Sequence, residues 1–326
     1  MQYRLLGSTG VKVSQLCFGT MSFGGDADEP TSTAIFNRCR DAGINFFDCA
    51  NGYAGGKSEE ILGRLIAGSR QNLVITSKVY FPMGADINAR GASRRNIVAS
   101  IDASLKRLNT DYLDVYFIHH FDDQTPLVET LRALDDLVQA GKILYPAASN
   151  FAAWQVMKAL GISAAQGWSP FAVLQPMYNL VKRQAEVELL PMALSEGLGV
   201  IPYSPLGGGL LSGKYAPGLR PEAGRLVENE MYKTRYGSEW VYSVAGDFSG
   251  FARERGFDPA ALAVAWVGSH PGVTAPIIGA RNLAQLEGSL KSVEIAMTPE
   301  LRAEICALSP EPPLATDRSE EVSARS

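Results

Sequence analysis

Four side chains in the first half of the sequence could together move a proton onto a carbonyl oxygen: Asp48, Tyr53, Lys78 and His119. A carbonyl that accepts hydride develops negative charge on oxygen and needs a proton. Tyrosine, with an ordinary pKa of about 10, is a weak acid at neutral pH. A neighbouring ammonium such as Lys78 is expected to stabilise the phenolate and lower that pKa. Asp48 could hold the lysine charged and in place. His119 could orient the carbonyl and donate a hydrogen bond to the developing oxyanion.

These residues must be brought together by the elements that carry them. Short β-rich runs alternate with helical patterns along the chain. The runs are Leu16–Thr20, Ile44–Asp48, Leu73–Lys78, Leu113–His119, Ile143–Ser149, Ala172–Pro176, Leu198–Ser204 and Ala275–Gly279. Their start-to-start intervals run from 26 to 40 residues, except the last, at 77. That spacing fits a strand, a loop and a crossover helix. Runs such as Val115-Tyr116-Phe117-Ile118 are continuously apolar, as strands buried on both faces are.

The intervening segments have helical period. Ile97, Ile101, Leu105 and Leu108 fall on one face, as do Leu127, Leu131, Leu134 and Val138. Ser58-Glu59-Glu60 opens one helix with acid in its first turn. Asp258-Pro259 opens another, with aspartate at the N-cap and proline at N1. Gly141 and Gly161 are read as helix C-caps. Eight strands alternating with helices predict a (β/α)8 barrel over residues 1–308, a single domain with an N-terminal β-hairpin across residues 3–15. A doubly wound sheet would carry GxGxxG after the first strand. The turn here, Gly19-Thr20-Met21-Ser22-Phe23-Gly24-Gly25, lacks that spacing.

Two regions break the rhythm. Residues 205–248, rich in glycine and proline, read as a long loop after strand seven with room for a short helix. Such a loop, carrying Lys214 and Arg225, is expected to close over a bound ligand. Residues 309–326 are polar and proline-containing, and are expected to be a mobile tail.

In a barrel the C-terminal strand ends face one mouth. Asp48, Lys78, His119, Ser149-Asn150, Gln175 and Tyr203-Ser204 all stand at such ends. Any one of them could be a solvated or structural residue. Their recurrence at strand after strand points to one polar site.

At this point the sequence resembles the aldo-keto reductase superfamily, from about residue 3 to about residue 308. Asn45-Phe46-Phe47-Asp48, Gly52-Tyr53 and Ser58-Glu59-Glu60-Ile61-Leu62-Gly63 are similar to its aspartate and tyrosine signature. Ser77-Lys78 and Asp114-Val115-Tyr116-Phe117-Ile118-His119 resemble its lysine and histidine segments. Gly141-Lys142 and Ser149-Asn150-Phe151 resemble its middle signature. The resemblance implies the catalytic tetrad Asp48, Tyr53, Lys78 and His119, with His120 a loop residue. It also implies NADPH or NADP bound in extended form. Ser149, Asn150 and Gln175 would hold the carboxamide, Tyr203 would stack on the nicotinamide, and Gly19 and Thr20 would line the floor. Ser204, Leu206, Gly208 and Lys214 would follow the pyrophosphate. Gly279, Arg281 and Gln285 would lie near the adenosine, with Arg225 reaching over. Gly288-Ser289 replace a Glu-Asn pair common in relatives. Asn51 and Gly52 replace the more usual residues before the tyrosine and leave its spacing from Asp48 unchanged.

The cations Lys214, Arg225 and Arg281 favour NADPH over NADH. The expected substrate is a small-molecule carbonyl compound or secondary alcohol. Met21, Phe23, Tyr80, Phe81, Phe121 and Tyr178 are candidate pocket walls, with Trp240 and Tyr242 in reserve. Such walls favour a bulky, weakly polar compound. Two other functions stay open: an alcohol or sugar dehydrogenase working oxidatively, and a cofactor-binding regulatory protein like the voltage-gated potassium-channel β-subunits.

Composition limits the alternatives. The 326 residues are 46% hydrophobic and carry a net charge of −4 without a basic stripe, so no nucleic-acid partner is expected. Cys17, Cys39, Cys49 and Cys306 are scattered, which suits reduced thiols in a cytoplasm. Met1-Gln2-Tyr3-Arg4 leads into no apolar run, so no signal peptide is expected, and no stretch reaches the length of a membrane span. A homo-oligomer stays open. Gly208–Lys214 matches GxxxxGK, but Tyr215 follows where a phosphate-binding loop needs a hydroxyl for magnesium. The three histidines lack zinc-like spacing, so no metal is expected.

Overall fold

The computed structural model describes residues 1–215, 224–316 and 318. Tyr3–Leu5 (β1) and Lys12–Ser14 (β2) form an antiparallel hairpin. Eight parallel strands follow: Cys17–Gly19 (β3), Phe46–Asp48 (β4), Val74–Val79 (β5), Leu113–Ile118 (β6), Ile143–Ser149 (β7), Val173–Gln175 (β8), Gly199–Val200 (β9) and Ile277–Ile278 (β10). Their sheet order is β10-β3-β4-β5-β6-β7-β8-β9. The N–H groups of Thr274 and Ile277 donate to the carbonyls of Val200 and Pro202 at 2.8 and 2.9 Å, which joins β10 to the β9 edge and closes the ring. Each strand lies within one of the eight segments expected from the sequence, or overlaps it closely. The fold is an α/β barrel of the (β/α)8 kind.

Alternation along each strand divides the core in two. Cys17, Phe46, Val74, Val115, Phe117, Ala147, Val173, Ile201 and Ile277 fill the barrel interior. Their neighbours Phe18, Phe47, Ile75, Tyr116, Ala148, Leu174, Val200 and Ile278 pack outward under the helices. The hairpin plugs the N-terminal mouth: Leu6 and Val13 join the interior cluster, and Ser8 N–H donates to the Gly197 carbonyl. Gly7, at φ +56°, is required there, because a Cβ would sit 2.4 Å from the Gly199 nitrogen.

Local signals set the helix ends. Asp28, Ser93 and Asp258 each accept from N–H groups of the first turn they cap. Gly161 departs from expectation. It lies inside the helix Ala153–Gln166, whose left-handed cap is Gly167. The surrounding apolar residues continue the helical face past Gly161, and one interior glycine is tolerated.

Residues 205–248 also differ from the long loop expected. After a tight turn at Gly207–Ser212 come helices Arg225–Glu228, Glu230–Arg235 and Glu239–Glu254. Tyr232, Tyr236, Val241, Val244, Ala245 and Phe248 are buried at helical spacing. The glycines and prolines that suggested a loop are confined to the first part of the segment. Ser309, the first residue of the expected tail, is buried and its Oγ donates to the Leu180 carbonyl. Residues 310–316 carry neither helix nor strand. No helix among the described residues is long and apolar enough to cross a membrane.

Candidate active site

The barrel's own alternation builds the site. Gly19, Asp48, His119, Ser149, Gln175, Tyr203 and Gly279 each lie two residues beyond an interior residue. Lys78 lies four beyond Val74. An even step keeps a side chain on the same face. All eight therefore turn inward at the C-terminal mouth. There all but the buried Lys78 line a cleft of about 960 Å³.

Asp48, Tyr53 and Lys78 are joined by hydrogen bonds. Lys78 Nζ donates to Asp48 Oδ2 at 2.6 Å, to the Cys49 carbonyl at 2.7 Å and to Tyr53 Oη at 3.4 Å. An ammonium has three N–H groups, and these contacts use them. Thr76 Oγ1 and Gln175 Nε2 donate to Asp48 Oδ1 at 2.7 and 2.9 Å, so the carboxylate is held from both sides. Lys78 is fully buried and Asp48 nearly so. Tyr53 enters on a turn that runs through left-handed Ala54, Gly55 and Gly56 into the helix Lys57–Ile66. The His119 ring stands edge-on to Tyr53, with centroids 6.1 Å apart, and edge-on to Phe81 at 4.9 Å.

Burial dominates the titration of this group. It pushes the Tyr53 hydroxyl up to about 12, although Lys78 pulls the other way. The downward shift expected from the sequence is thus reversed, because burial outweighs the pull of Lys78, with Asp48 adding to the rise. For Lys78, burial favours the neutral amine. The charge and hydrogen bond of Asp48, together with Tyr53 and Cys49, outweigh it, and the pKa rises above its usual value. Burial, with Lys78 and His120 adding to it, holds His119 well below the ordinary histidine range, so its ring is neutral at pH 7.

The cleft continues past the tetrad. Tyr203 Oη donates to Asn150 Oδ1 at 2.7 Å, and Asn150 Nδ2 donates to the His119 carbonyl at 2.9 Å. Ser149 Oγ donates to the Gln175 carbonyl at 2.9 Å. Asn150 and Ser204 both have φ of +58°, a strained conformation for residues with a Cβ. Backbone strain of this kind gathers at ligand sites. Gly208 packs so closely on Tyr232 that a Cβ would lie 2.6 Å from the ring. Leu206, Lys214, Gly279, Arg281 and Gln285 also line the cleft. Arg281 also pairs with Asp26 at 3.1 Å. Polar groups, a close-packed glycine turn and three cations, Lys214, Arg235 and Arg281, in one cleft fit a dinucleotide.

Several expected residues lie elsewhere. Thr20 is fully buried beneath the floor; it donates to the Asp48 carbonyl and accepts from Ser58 Oγ. Phe23 is fully buried against Phe18, because the chain turns inward after Ser22. Tyr178 is no pocket wall either. Its hydroxyl donates to Glu186 and accepts from Arg302, and its ring lies tilted against Trp266. Phe121 packs on Phe151 and Trp154, outside the cleft. Tyr80 stands behind Phe81 and His120. Trp240 and Tyr242 sit on the helix Glu239–Glu254, away from the lining. Of the expected walls, Met21 and Phe81 line the cleft. The side chain of Arg225 lies outside the described residues.

Other lining residues carried no local signal. Met177, Met231, Tyr232 and Arg235 come from segments that only folding brings to the mouth. Gly288 and Ser289, the departures noted above, line the cleft as well. Among the described residues no cluster of histidine, cysteine, aspartate or glutamate could hold a metal ion.

The model of the aldo/keto reductase family matches residues 15–309. The chain is 40% identical to "Uncharacterized oxidoreductase YrpG" of Bacillus subtilis, over 92% of this chain and 94% of that protein. It is 38% identical to "Probable voltage-gated potassium channel subunit beta" of Arabidopsis thaliana, over 90% and 92%. It is 34% identical to "Versiconal hemiacetal acetate reductase" of Aspergillus parasiticus, over 92% and 94%. The chain belongs to the aldo/keto reductase family and is an NAD(P)H-dependent oxidoreductase.

Proposed function

We propose that this protein reduces an aldehyde or ketone to the alcohol with NADPH, reversibly, and that Tyr53 gives the proton. The observation that carries this reading is the chain of contacts from Tyr53 through Lys78 to Asp48, 3.4 and 2.6 Å long, at the floor of an open cleft. The balance is carbonyl compound plus NADPH plus a proton, giving alcohol plus NADP. When bound, the cofactor supplies the hydride that bonds to the carbonyl carbon.

The chain's residues do the rest. Tyr53 is protonated at neutral pH, since burial holds its pKa near 12. It transfers its proton to the carbonyl oxygen, and the O–H bond it loses is formed on the product. The phenolate left behind faces Lys78 Nζ, whose charge stabilises it in a low-dielectric setting. Asp48 keeps Lys78 charged and aimed. His119, neutral, has one N–H to offer the carbonyl oxygen, which fixes the carbonyl beside Tyr53.

For the cofactor, Ser149, Asn150 and Gln175 present a hydroxyl and two amides suited to a carboxamide, and Tyr203 presents a ring face. Gly19 leaves the floor open. Ser204, Leu206 and Gly208 shape the stretch toward Lys214, which suits a pyrophosphate. Arg281, with Gly279 and Gln285, suits the adenosine end and its 2′-phosphate. Arg225 belongs with these cations by its place in the sequence.

A regulatory role like that named for the Arabidopsis relative is a second reading. Turnover separates the two. The purified protein should oxidise NADPH in the presence of 4-nitrobenzaldehyde, and Tyr53→Phe should stop it. Absence of any aldehyde-dependent oxidation by the wild type would favour the regulatory reading.

A further inference from the structure

The cleft has one wall that hydride and proton transfer leave unused. Met231, Tyr232 and Arg235, from the helix Glu230–Arg235, line it. Arg235 lies one helical turn from Met231, with Nη2 3.5 Å from its sulfur, and its guanidinium stands 5.3 Å over the Tyr232 ring.

The next residue fixes where this wall sits. Tyr236 is fully buried. Its hydroxyl accepts from Asn179 Nδ2 at 3.1 Å and reaches Met177 Sδ at 3.8 Å. The same Asn179 amide donates to the Ser204 carbonyl at 2.9 Å. Arg235 lines the cleft together with Met177 and Tyr203, and its charge acts on the Tyr203 hydroxyl. From Tyr203 the hydrogen bonds run through Asn150 to His119. Of the cleft cations Lys214, Arg235 and Arg281, Arg235 is the one whose charge acts on the Tyr203 hydroxyl.

Its electrostatic setting is open to an anion. No carboxylate among the described residues forms an ion pair with Arg235. Two carboxylates line the cleft, Asp48 and Asp258. Asp48 is saturated by Lys78, Thr76 and Gln175. Asp258 accepts from the N–H groups of Ala260 and Ala261. A stacked guanidinium keeps its planar fork of donors, and a carboxylate matches that fork with two parallel hydrogen bonds.

We propose that Arg235 is a specificity-determining residue that selects carbonyl substrates bearing a carboxylate, held by its guanidinium while the carbonyl lies between Tyr53 and His119. This rests on the reduction reading above, and it replaces the weakly polar substrate that the aromatic residues suggested.

The test compares 4-formylbenzoate with its methyl ester, which differ in charge at the end remote from the aldehyde. With NADPH and wild-type protein, the acid should have a KM about tenfold or more below that of the ester. Arg235→Gln should raise KM for the acid about tenfold, leave kcat near wild type and leave the ester within about twofold. Arg235→Lys should restore part of the preference. NADPH affinity, read by quenching of protein fluorescence, should not change. Equal KM values for acid and ester in the wild type would overturn the proposal. So would an Arg235→Gln variant that weakens NADPH and handles both aldehydes alike, since Arg235 would then serve the cofactor phosphates. If neither aldehyde is turned over, the reduction reading fails. Binding of 4-(hydroxymethyl)benzoate to the NADP complex then decides the selectivity separately: Arg235-dependent binding supports it, and its absence overturns it.

Discussion

Lys78 Nζ lies 3.4 Å from Tyr53 Oη, a longer contact than the 2.6 Å it makes to Asp48. The charge is spent first on the carboxylate and only partly on the tyrosine. Burial, with this weaker hold of the lysine beside it, keeps Tyr53 a protonated, weak acid. Its phenolate gains the lysine's full attention only as a proton leaves.

Removing that proton is the first prediction. Tyr53→Phe should lower the single-turnover rate of aldehyde reduction by roughly 10²–10⁴-fold. NADPH should bind as before, because the ring and the buried Lys78–Asp48 pair remain. Retention of more than about a third of the wild-type rate, with chemistry limiting, would contradict the role given to Tyr53.

The pair itself is a stability element. Lys78 is fully buried, so Asp48→Asn leaves an ammonium without its carboxylate. Breaking a buried pair by removing one partner costs about 3–5 kcal/mol. Urea unfolding should show a loss of that order, together with a large fall in reduction rate. Unchanged stability would mean that water or a neighbouring group replaces Asp48 without difficulty.

Cofactor choice should depend on Arg281. NADPH should bind more tightly than NADH at low salt, and Arg281→Ala should shrink the difference. Arg281 is also held by Asp26 at 3.1 Å, in a partly exposed pair. Asp26→Asn frees the guanidinium and should tighten NADPH modestly, with NADH unaffected. Equal dissociation constants for the two cofactors in the wild type would remove Arg281 from this role.

His270 should make the fold acid-sensitive. Burial, with Arg302 adding to it, lowers its pKa to about 4. Its Nδ1 accepts from the Gly272 N–H at 3.0 Å, a bond the protonated ring cannot make. The unfolded chain titrates near 6.5 and so binds the proton first. Stability from this group is present above about pH 6.5 and is lost as pH falls toward 4. His270→Asn, which keeps an acceptor near that position, should flatten the fall of Tm between pH 7 and 5. A variant as acid-sensitive as the wild type would show that His270 is not responsible.

The barrel and its polar mouth were legible because their causes are local. Apolar runs of strand length, helical spacing between them and capping residues such as Asp258 act within a few residues of one another. Even-numbered steps along each strand then carry Asp48, Lys78, His119, Ser149, Gln175 and Tyr203 to a common face. Where a loop side chain points is decided otherwise. Phe23 and Tyr178 looked like pocket walls by composition, yet the first found a fuller contact with Phe18 and the second a hydroxyl network with Glu186 and Arg302. The helices after Gly224 were hidden behind the glycines and prolines preceding them. Arg235 had no local mark at all. It reaches the mouth because Tyr236, the residue after it, is buried and tied through Asn179 to the Ser204 carbonyl. That tie spans distant parts of the chain, and long-range contacts of this kind exist only once the core has packed.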